Sequence, residues 1–387
     1  MSLVFSRETY QPIIMVMGVG GAGCNAVANM FRQGIHGVEF VVCNTDSQVL
    51  GINPVPRRLL IGQKLTGGLG CGADPERGRQ AAQESIEEIR ELFQPPLRMV
   101  FLTAGLGGGT GTGGLPIIAE VCQDLGLLTV AVVTLPFNFE GEPRKRNALR
   151  GLAELEAHVD ALVVVHNNNI LRIASPNMRQ KEAFLMADQV LYRGVRGIAE
   201  VVTKPGYVNV DFADVKTIME KGGYALLGMS TQRGENRALM AVEEALSSPL
   251  LDDVDIRGAR GLLVNITASS DTLTIQETEQ IMNRITEALG VSETNIIVGQ
   301  VFDEEAEDEL SLTLIATGLE RPQSIKGLNS SPASQKRPSS VPSSPPIEME
   351  LALGASSALP SEQEAPSIPL EERLRELEKD PRAIEKA

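Results

Sequence analysis

Seven of the ten residues from Gly105 to Gly114 are glycine, with Thr110 and Thr112 set among them and no lysine in the run. An apolar, strand-like stretch from Arg98 to Ala104 leads in, and a helix-like stretch from Ile117 to Leu125 leads out. A strand, a glycine loop and a helix in that order let main-chain N–H groups and the positive helix end converge on an anion. A Walker-type loop would close on Gly-Lys-Ser/Thr, whose lysine reaches the terminal phosphates. That ending is absent, so amides and threonine hydroxyls would have to hold any phosphate. A glycine-rich surface turn is the plainer alternative.

The rest of the chain sets the loop in an α/β frame. From residue 13 to about 175, apolar runs at Ile13 to Met17, Val38 to Cys43, Met99 to Ala104, Thr129 to Thr134 and Ala161 to Val165 alternate with amphipathic stretches, the pattern of a parallel sheet. Between the second and third runs Asp74 reads as an N-cap and Pro75 as the first helical residue, with Ile86, Ile89, Leu92 and Phe93 along one face. A long helix over Arg179 to Thr203 buries a stripe of Phe184, Ala187, Leu191, Val195, Ile198 and Val202. Beyond Pro205-Gly206 a second, α+β domain is expected. Its helices are predicted at Phe212 to Lys221, Asn236 to Ser247 and Ile275 to Leu289, and its strands at Tyr224 to Met229, Gly261 to Ile266, Asn295 to Phe302 and Leu310 to Thr317. The last two strands flank the acidic run Asp303 to Glu309, expected as a solvated hairpin tip. The resulting division is 1–178, a connecting helix 179–204, 205–320, a disordered Ser/Pro-rich linker 321–366 and a tail peptide 367–387. Leu370, Leu374 and Leu377 share one face of that tail, a helix marginal alone in water that would fold on a partner.

A formal charge of −15 on 387 residues argues against nucleic acid or an anionic membrane as partner. Cys24, Cys43, Cys71 and Cys122 form no CxxC pair, so neither a zinc site nor a disulfide framework is signalled. The first twelve residues lack the pattern of a signal peptide, and no apolar run reaches a membrane span, so a soluble cytoplasmic protein without direct membrane insertion is expected.

Gly18-Val19-Gly20-Gly21-Ala22-Gly23 also satisfies the GxGxxG dinucleotide fingerprint, and Asp46 lies where a ribose-binding acid belongs. That pair alone would suggest a nicotinamide enzyme, but the Gly105 loop has no place in such a scheme. Two glycine loops on neighbouring strands suit a triphosphate gripped from both sides.

With GGGTGTG at Gly107 to Gly113, GVGGAGCNAV at Gly18 to Val27, NTD at Asn44 to Asp46, GCGADP at Gly70 to Pro75, PFNFEG at Pro136 to Gly141 and NVDFADVK at Asn209 to Lys216, the chain resembles the tubulin/FtsZ family of GTPases from about Ile13 to Gly318. The resemblance implies a Rossmann-like GTPase domain and GTP or GDP as ligand, with Mg2+ held mainly by the phosphates. It places Gly20, Gly21, Gly23, Asn25 and Asn44 around the diphosphate, and Gly107, Gly108, Gly109, Thr110, Gly111 and Thr112 on the other side. Gly70, Cys71, Gly72 and Ala73 would sense the γ-phosphate, Glu140 and Arg144 would contact ribose and phosphate, and Asn167, Phe184 and Asp188 would form the guanine site. By their residue types alone, Phe184 could equally be core, Asp188 a solvated charge, and Glu140 with Arg144 a loop ion pair.

Asn209, Asp211 and Asp214 carry the implied catalysis, inserted by one subunit into the pocket of the next; Asp211 and Asp214 also have capping-box spacing. A head-to-tail homopolymer follows, organising cell division from the division site, with anchoring or regulatory division proteins on the tail. A paralogue with another filament role is the alternative. The chain departs from the family at His166-Asn167-Asn168-Asn169, where proline and Asn-Asp are usual, and at Leu135, where lysine is usual.

Overall fold

The computed structural model describes residues 13–173, 175, 177–203, 206–208, 210–247, 256–290 and 293–320. The expected linker and tail peptide, and Asn209, lie outside the described residues.

The first half runs β1 (Ile14–Val19), α1 (Gly20–Gln33), β2 (Val38–Asn44), α2 (Ser47–Gly51), β3 (Arg57–Leu60), α3 (Gln63–Thr66), α4 (Pro75–Glu84) and α5 (Ile86–Leu92). It continues through β4 (Met99–Gly105), α6 (Thr110–Asp124), β5 (Leu128–Leu135), α7 (Glu142–Leu155), β6 (Ala161–His166) and α8 (Asn167–Ile173). The long helix α9 (Gln180–Thr203) follows. The remainder is β7 (Gly206–Val208), α10 (Phe212–Met219), β8 (Gly223–Arg233), α11 (Arg237–Leu246), β9 (Gly261–Ala268), α12 (Ile275–Leu289), β10 (Asn295–Phe302) and β11 (Glu309–Leu319).

Among the described residues the eleven strands join one sheet in the order β3-β2-β1-β4-β5-β6-β8-β11-β9-β10-β7. From β3 to β6 every pairing is parallel. β6 passes into the second half by a short parallel pairing with β8, Ala161↔Gly223 to Val163↔Ala225. Fully buried runs such as Leu128–Leu135 are what a sheet covered on both faces requires. One face packs on α1 and α9 through Val27, Met30, Leu191, Val195 and Ile198, and the other on α6 and α7 through Leu115, Ile118, Ala148 and Leu152. A third cluster seals α11 and α12 onto β9 and β11.

Three expectations need correction. β10 lies parallel to β9, whereas β11 inserts antiparallel between β8 and β9, so Asp303 to Glu309 crosses the end of β9 and is no hairpin tip. The helix after Asp74 breaks at Ser85, a buried residue whose hydroxyl accepts from Gly62 N at 3.1 Å. Helix α6 begins at Thr110, well before Ile117. Its glycines serve close approach there: a Cβ on Gly113 would lie 1.8 Å from Pro75 O, so the start of α4 rests directly on the backbone of α6.

Candidate nucleotide-binding site

The strand order reverses between β1 and β4, and open α/β sheets present ligand crevices at such a switch point, beyond the C-terminal strand ends. Both glycine loops are there. Gly20 holds φ +74°, and a Cβ on it would sit 2.7 Å from Gly111 N, so the two loops are in backbone contact. Each opens a helix whose N-cap, Val19 for α1 and Gly109 for α6, supplies no side-chain bond, and neither first turn carries an acidic residue. Asp46, Asp74, Asp211 and Thr274, by contrast, cap α2, α4, α10 and α12 with their side chains. Uncapped first-turn N–H groups still need acceptors, and two such helix ends converging favour a polyanion. Gly21 and Gly108 face open space, with nothing within 4 Å of a Cβ built on either, and Asn25 is exposed in the second turn of α1.

The Gly70 to Asp74 loop closes a third side. Gly70, Gly72 and the non-glycine Ala73 all have positive φ, and the 72–74 tip is exposed. Beneath it Thr45 and Thr110 share a hydrogen bond of 2.7 Å, and Cys71 Sγ donates to Thr45 Oγ1 at 3.3 Å. Thr112 lies deeper: it is 1% exposed, and its hydroxyl accepts from Gly107 N at 2.8 Å, so it fixes the loop from within. Asn44 Oδ1 accepts from Thr45 N at 2.8 Å and shapes the turn after β2. Gly23 is buried where a Cβ would meet Thr103 O at 2.4 Å.

Beside the cradle is a crevice lined by Glu140, Arg144, Asn167, Phe184 and Asp188, so the expected ribose and phosphate pair and the expected guanine-site residues share one crevice. Glu140 Oε1 accepts from Phe137 N at 2.9 Å, and Oε2 pairs with Arg144 Nε at 3.1 Å. Phe184 is 39% exposed, not part of the buried stripe of α9, and meets buried Phe137 edge-on at 5.2 Å. Asn167 is 5% exposed, and its Oδ1 has no hydrogen-bond partner among the described residues, an acceptor still owed a donor. Burial pushes the Asp188 carboxyl up to about 6; a 2.7 Å hydrogen bond from Asn29 Nδ2 opposes that rise.

Sequence reasoning missed Asn29, Thr45 and Asn168. Asn29 lies one turn beyond Asn25, and that spacing could have drawn attention to it. Asn168 replaces the usual acid and makes a neutral clamp, its Oδ1 accepting from Asn138 N at 3.0 Å and its Nδ2 donating to Asn138 Oδ1 at 2.9 Å. Leu135, where lysine is usual, is buried.

Asp211 and Asp214 cap α10 reciprocally: Asp214 N donates to Asp211 Oδ1 at 2.9 Å and Asp211 N to Asp214 Oδ2 at 3.1 Å. The far end of α10 reaches Asp160, which precedes β6: Lys221 N donates to Asp160 Oδ1 at 3.4 Å and Gly223 N to Asp160 O at 2.9 Å. That is the starting edge of the parallel strands, and the glycine loops are at the finishing edge. Asp46 is committed as a cap, its Oδ1 accepting from Gln48 N at 2.9 Å and Val49 N at 3.2 Å, which takes away the acid that supported a nicotinamide site. Cys24, Cys43, Cys71 and Cys122 are free and buried.

A switch-point cradle made of main chain, with a partly apolar, carboxylate-bearing crevice beside it, defines an α/β nucleotide-binding protein of Rossmann-like topology. Residues 13–175 match the family model described as "Tubulin/FtsZ family, GTPase domain", and residues 223–320 match "FtsZ family, C-terminal domain". The cell division protein FtsZ of Coxiella burnetii is 49% identical over 306 residues, covering 79% of this chain and 78% of the relative. That of Caulobacter vibrioides is 48% identical over 320 residues, covering 82% of this chain and 62% of its own length. The FtsZ dimer of M. jannaschii superposes with a TM-score of 0.75 at 46% identity, covering 79% of this chain and 88% of that one. The chain belongs to the tubulin/FtsZ family, and it is a GTPase.

Proposed function

We propose that this GTPase assembles head-to-tail into filaments of the cell-division apparatus and hydrolyses GTP at sites shared between neighbouring subunits. The observation that carries the reading is the separation of its parts. The open helix ends lie beyond the finishing edge of the sheet, while the helix bearing Asp211 and Asp214 ends at the starting edge. The six residues of β6 that separate these edges span about 20 Å, a separation that supports delivery of the carboxylates to a neighbour's cradle over service to their own. Stacking subunits along the strand direction brings one starting edge against the next finishing edge. Contact between two different surfaces does not close on itself and yields a filament.

Within the shared site, first-turn amides of α1 and α6 take up phosphate charge, with Gly21 and Gly108 leaving room for the oxygens. The exposed Gly72–Ala73 tip contacts the γ-phosphate, Phe184 stacks on the base, and Glu140 with Arg144 meets ribose and phosphate. Asp188 accepts from N1–H and the 2-amino group of guanine, a donor pair that adenine lacks. Asn209, Asp211 and Asp214 of the neighbour orient the attacking water, and phosphoryl transfer needs chiefly such positioning and charge stabilisation. Among the described residues there is no cluster of three or more His, Cys, Asp or Glu that could hold a metal. Mg2+ held mainly by the nucleotide's phosphates would supply charge neutralisation there. We assign 321–366 as a linker and 367–387 as a peptide that binds anchoring or regulatory division proteins at the cytoplasmic division site. Among the described residues no helix is long and apolar enough to cross a membrane.

Sedimentation with GTP, GDP and ATP in parallel, each with Mg2+, tests the reading. GTP gives pelletable filaments and ATP does not. Equal pelleting with ATP removes the base assignment, and a soluble, GTP-hydrolysing monomer removes the shared site.

A further inference from the structure

The crevice carboxylate does not stand alone. Asn29 Nδ2, on α1, donates to Asp188 Oδ2 at 2.7 Å, and Arg32 Nη1, three residues on, donates to Asn29 Oδ1 at 3.0 Å. The two contacts fix the amide orientation chemically. A guanidinium only donates and an ionised carboxylate only accepts, so the amide oxygen must face Arg32 and the nitrogen Asp188. No other donor bonds to Asp188 among the described residues, so Asn29 takes one lone pair of Oδ2, and Oδ1 together with the second lone pair of Oδ2 is left for two hydrogen bonds from a ligand in the crevice that Asp188 lines. We infer that Asn29 is a positioning residue for base discrimination, an amide that carries the polarity of Arg32 to Asp188 and presents that carboxylate ionised and in one orientation to guanine. The inference rests on the reading that Asp188 contacts the base.

Burial alone pushes the Asp188 carboxyl toward its neutral form, and a protonated acid offers a donor where guanine also offers donors. Asn29 opposes this by donating to the charged form. Holding the head group also spares the binding step a rotamer search, because guanine recognition by two parallel hydrogen bonds requires the carboxylate plane to be set. Asn29 is half-buried and Arg32 exposed, so the pair lies at the rim of the site, where a substitution leaves the core intact.

The test is titration of the full-length protein with GDP and with ADP, below its assembly concentration, for Asn29→Ala, Asp188→Ala, the double variant and the isosteric Asn29→Asp. Asn29→Ala should weaken GDP about tenfold, as expected for loss of a hydrogen bond to a charged group, and leave ADP binding unchanged, so discrimination shrinks by the same factor. Asn29→Asp, which sets a second carboxylate against Asp188, should lose more than the alanine variant. In the Asp188→Ala background, Asn29→Ala should have no further effect. A fall of equal size in that background shows that Asn29 only packs α1 against α9, and overturns the inference. Unchanged GDP affinity in Asn29→Ala and Asn29→Asp, while Asp188→Ala loses it, overturns the inference alone. Unchanged affinity in Asp188→Ala removes the base reading itself. Should Asn29→Ala unfold, Arg32→Leu, altered only at an exposed position, should still reduce the GDP/ADP ratio, and an unaltered ratio refutes the relay.

Discussion

Replacing Asp214 with Asn separates capping from catalysis, because the structure sets very different magnitudes on the two. As a cap, Asp214 accepts one bond, from Asp211 N at 3.1 Å, while its own N–H donates to Asp211 Oδ1 at 2.9 Å. Asparagine keeps a carbonyl oxygen in the same place, so what disappears is the charge at the N-terminus of an eight-residue helix, worth about 0.3 to 1 kcal/mol. No partner is left buried and unpaired, so the full cost stays under about 1 kcal/mol, a fall in Tm of less than about 2 °C for a folded part of this size. As a residue that orients or activates water, its loss should lower turnover about 100- to 10,000-fold. The assay pairs GTP turnover per mass of pelleted polymer with thermal unfolding of the unassembled protein. The expected result is near-normal unfolding and GTP binding, slow hydrolysis and long-lived filaments. The trans geometry adds a second arm, in which Thr110→Ala protein, weakened in its own cradle but carrying intact aspartates, is mixed with Asp214→Asn protein. Hydrolysis should exceed the sum of the separate activities where the two co-assemble. Turnover within about threefold of the parent, together with the small Tm shift, would show that the two aspartates are caps and nothing more.

The Asp188 carboxyl, held at about 6 by burial, should make GDP affinity fall as pH drops through that value, approaching tenfold per pH unit below it, because guanine requires the ionised form. For the nucleotide-free protein the sign is opposite: a folded pKa above the unfolded one means that the folded state binds the proton more tightly, so this group's contribution to stability rises as pH falls from 6 toward 4. Titration calorimetry and denaturant unfolding between pH 5 and 8 would read both trends, and GDP affinity flat across that range would rule out a carboxylate reader. Gly20→Ala should destabilise the fold by at least about 1 to 2 kcal/mol, since φ is +74° and the new Cβ meets Gly111 N at 2.7 Å. Gly21→Ala should leave Tm unchanged or raised, with open space around its Cβ, while weakening GDP; unimpaired GDP binding there would show that phosphate does not occupy that space.

What could be read without coordinates divides by the range of the forces involved. Strands β1, β2, β4, β5 and β6 are fully or largely buried runs, and α9 carries its own period, so each announces itself locally. β3 is four residues of Arg-Arg-Leu-Leu, and β7 three residues, too short and too mixed to carry a signal of their own. Where β11 inserts depends on its pairing with both β8 and β9, which no local pattern encodes. The start of α6 was hidden for a similar reason: glycine disfavours a helix, and only the backbone of α4 lying on Gly113 explains why the helix tolerates it. At the site, residues inside motifs were legible, and residues that orient them from other elements were not. Asn29 reaches a carboxylate 159 positions away, and Thr45 reaches Thr110 across 65. The aspartates at 211 and 214 show the opposite case, in which a single local pattern supports two roles at once. A capping box fixes both carboxylates at one helix end, and that rigidity is also what a neighbouring subunit would need in order to receive them in register. Capping geometry therefore cannot be evidence against catalysis here, and the discriminating quantity has to be turnover in assembled protein.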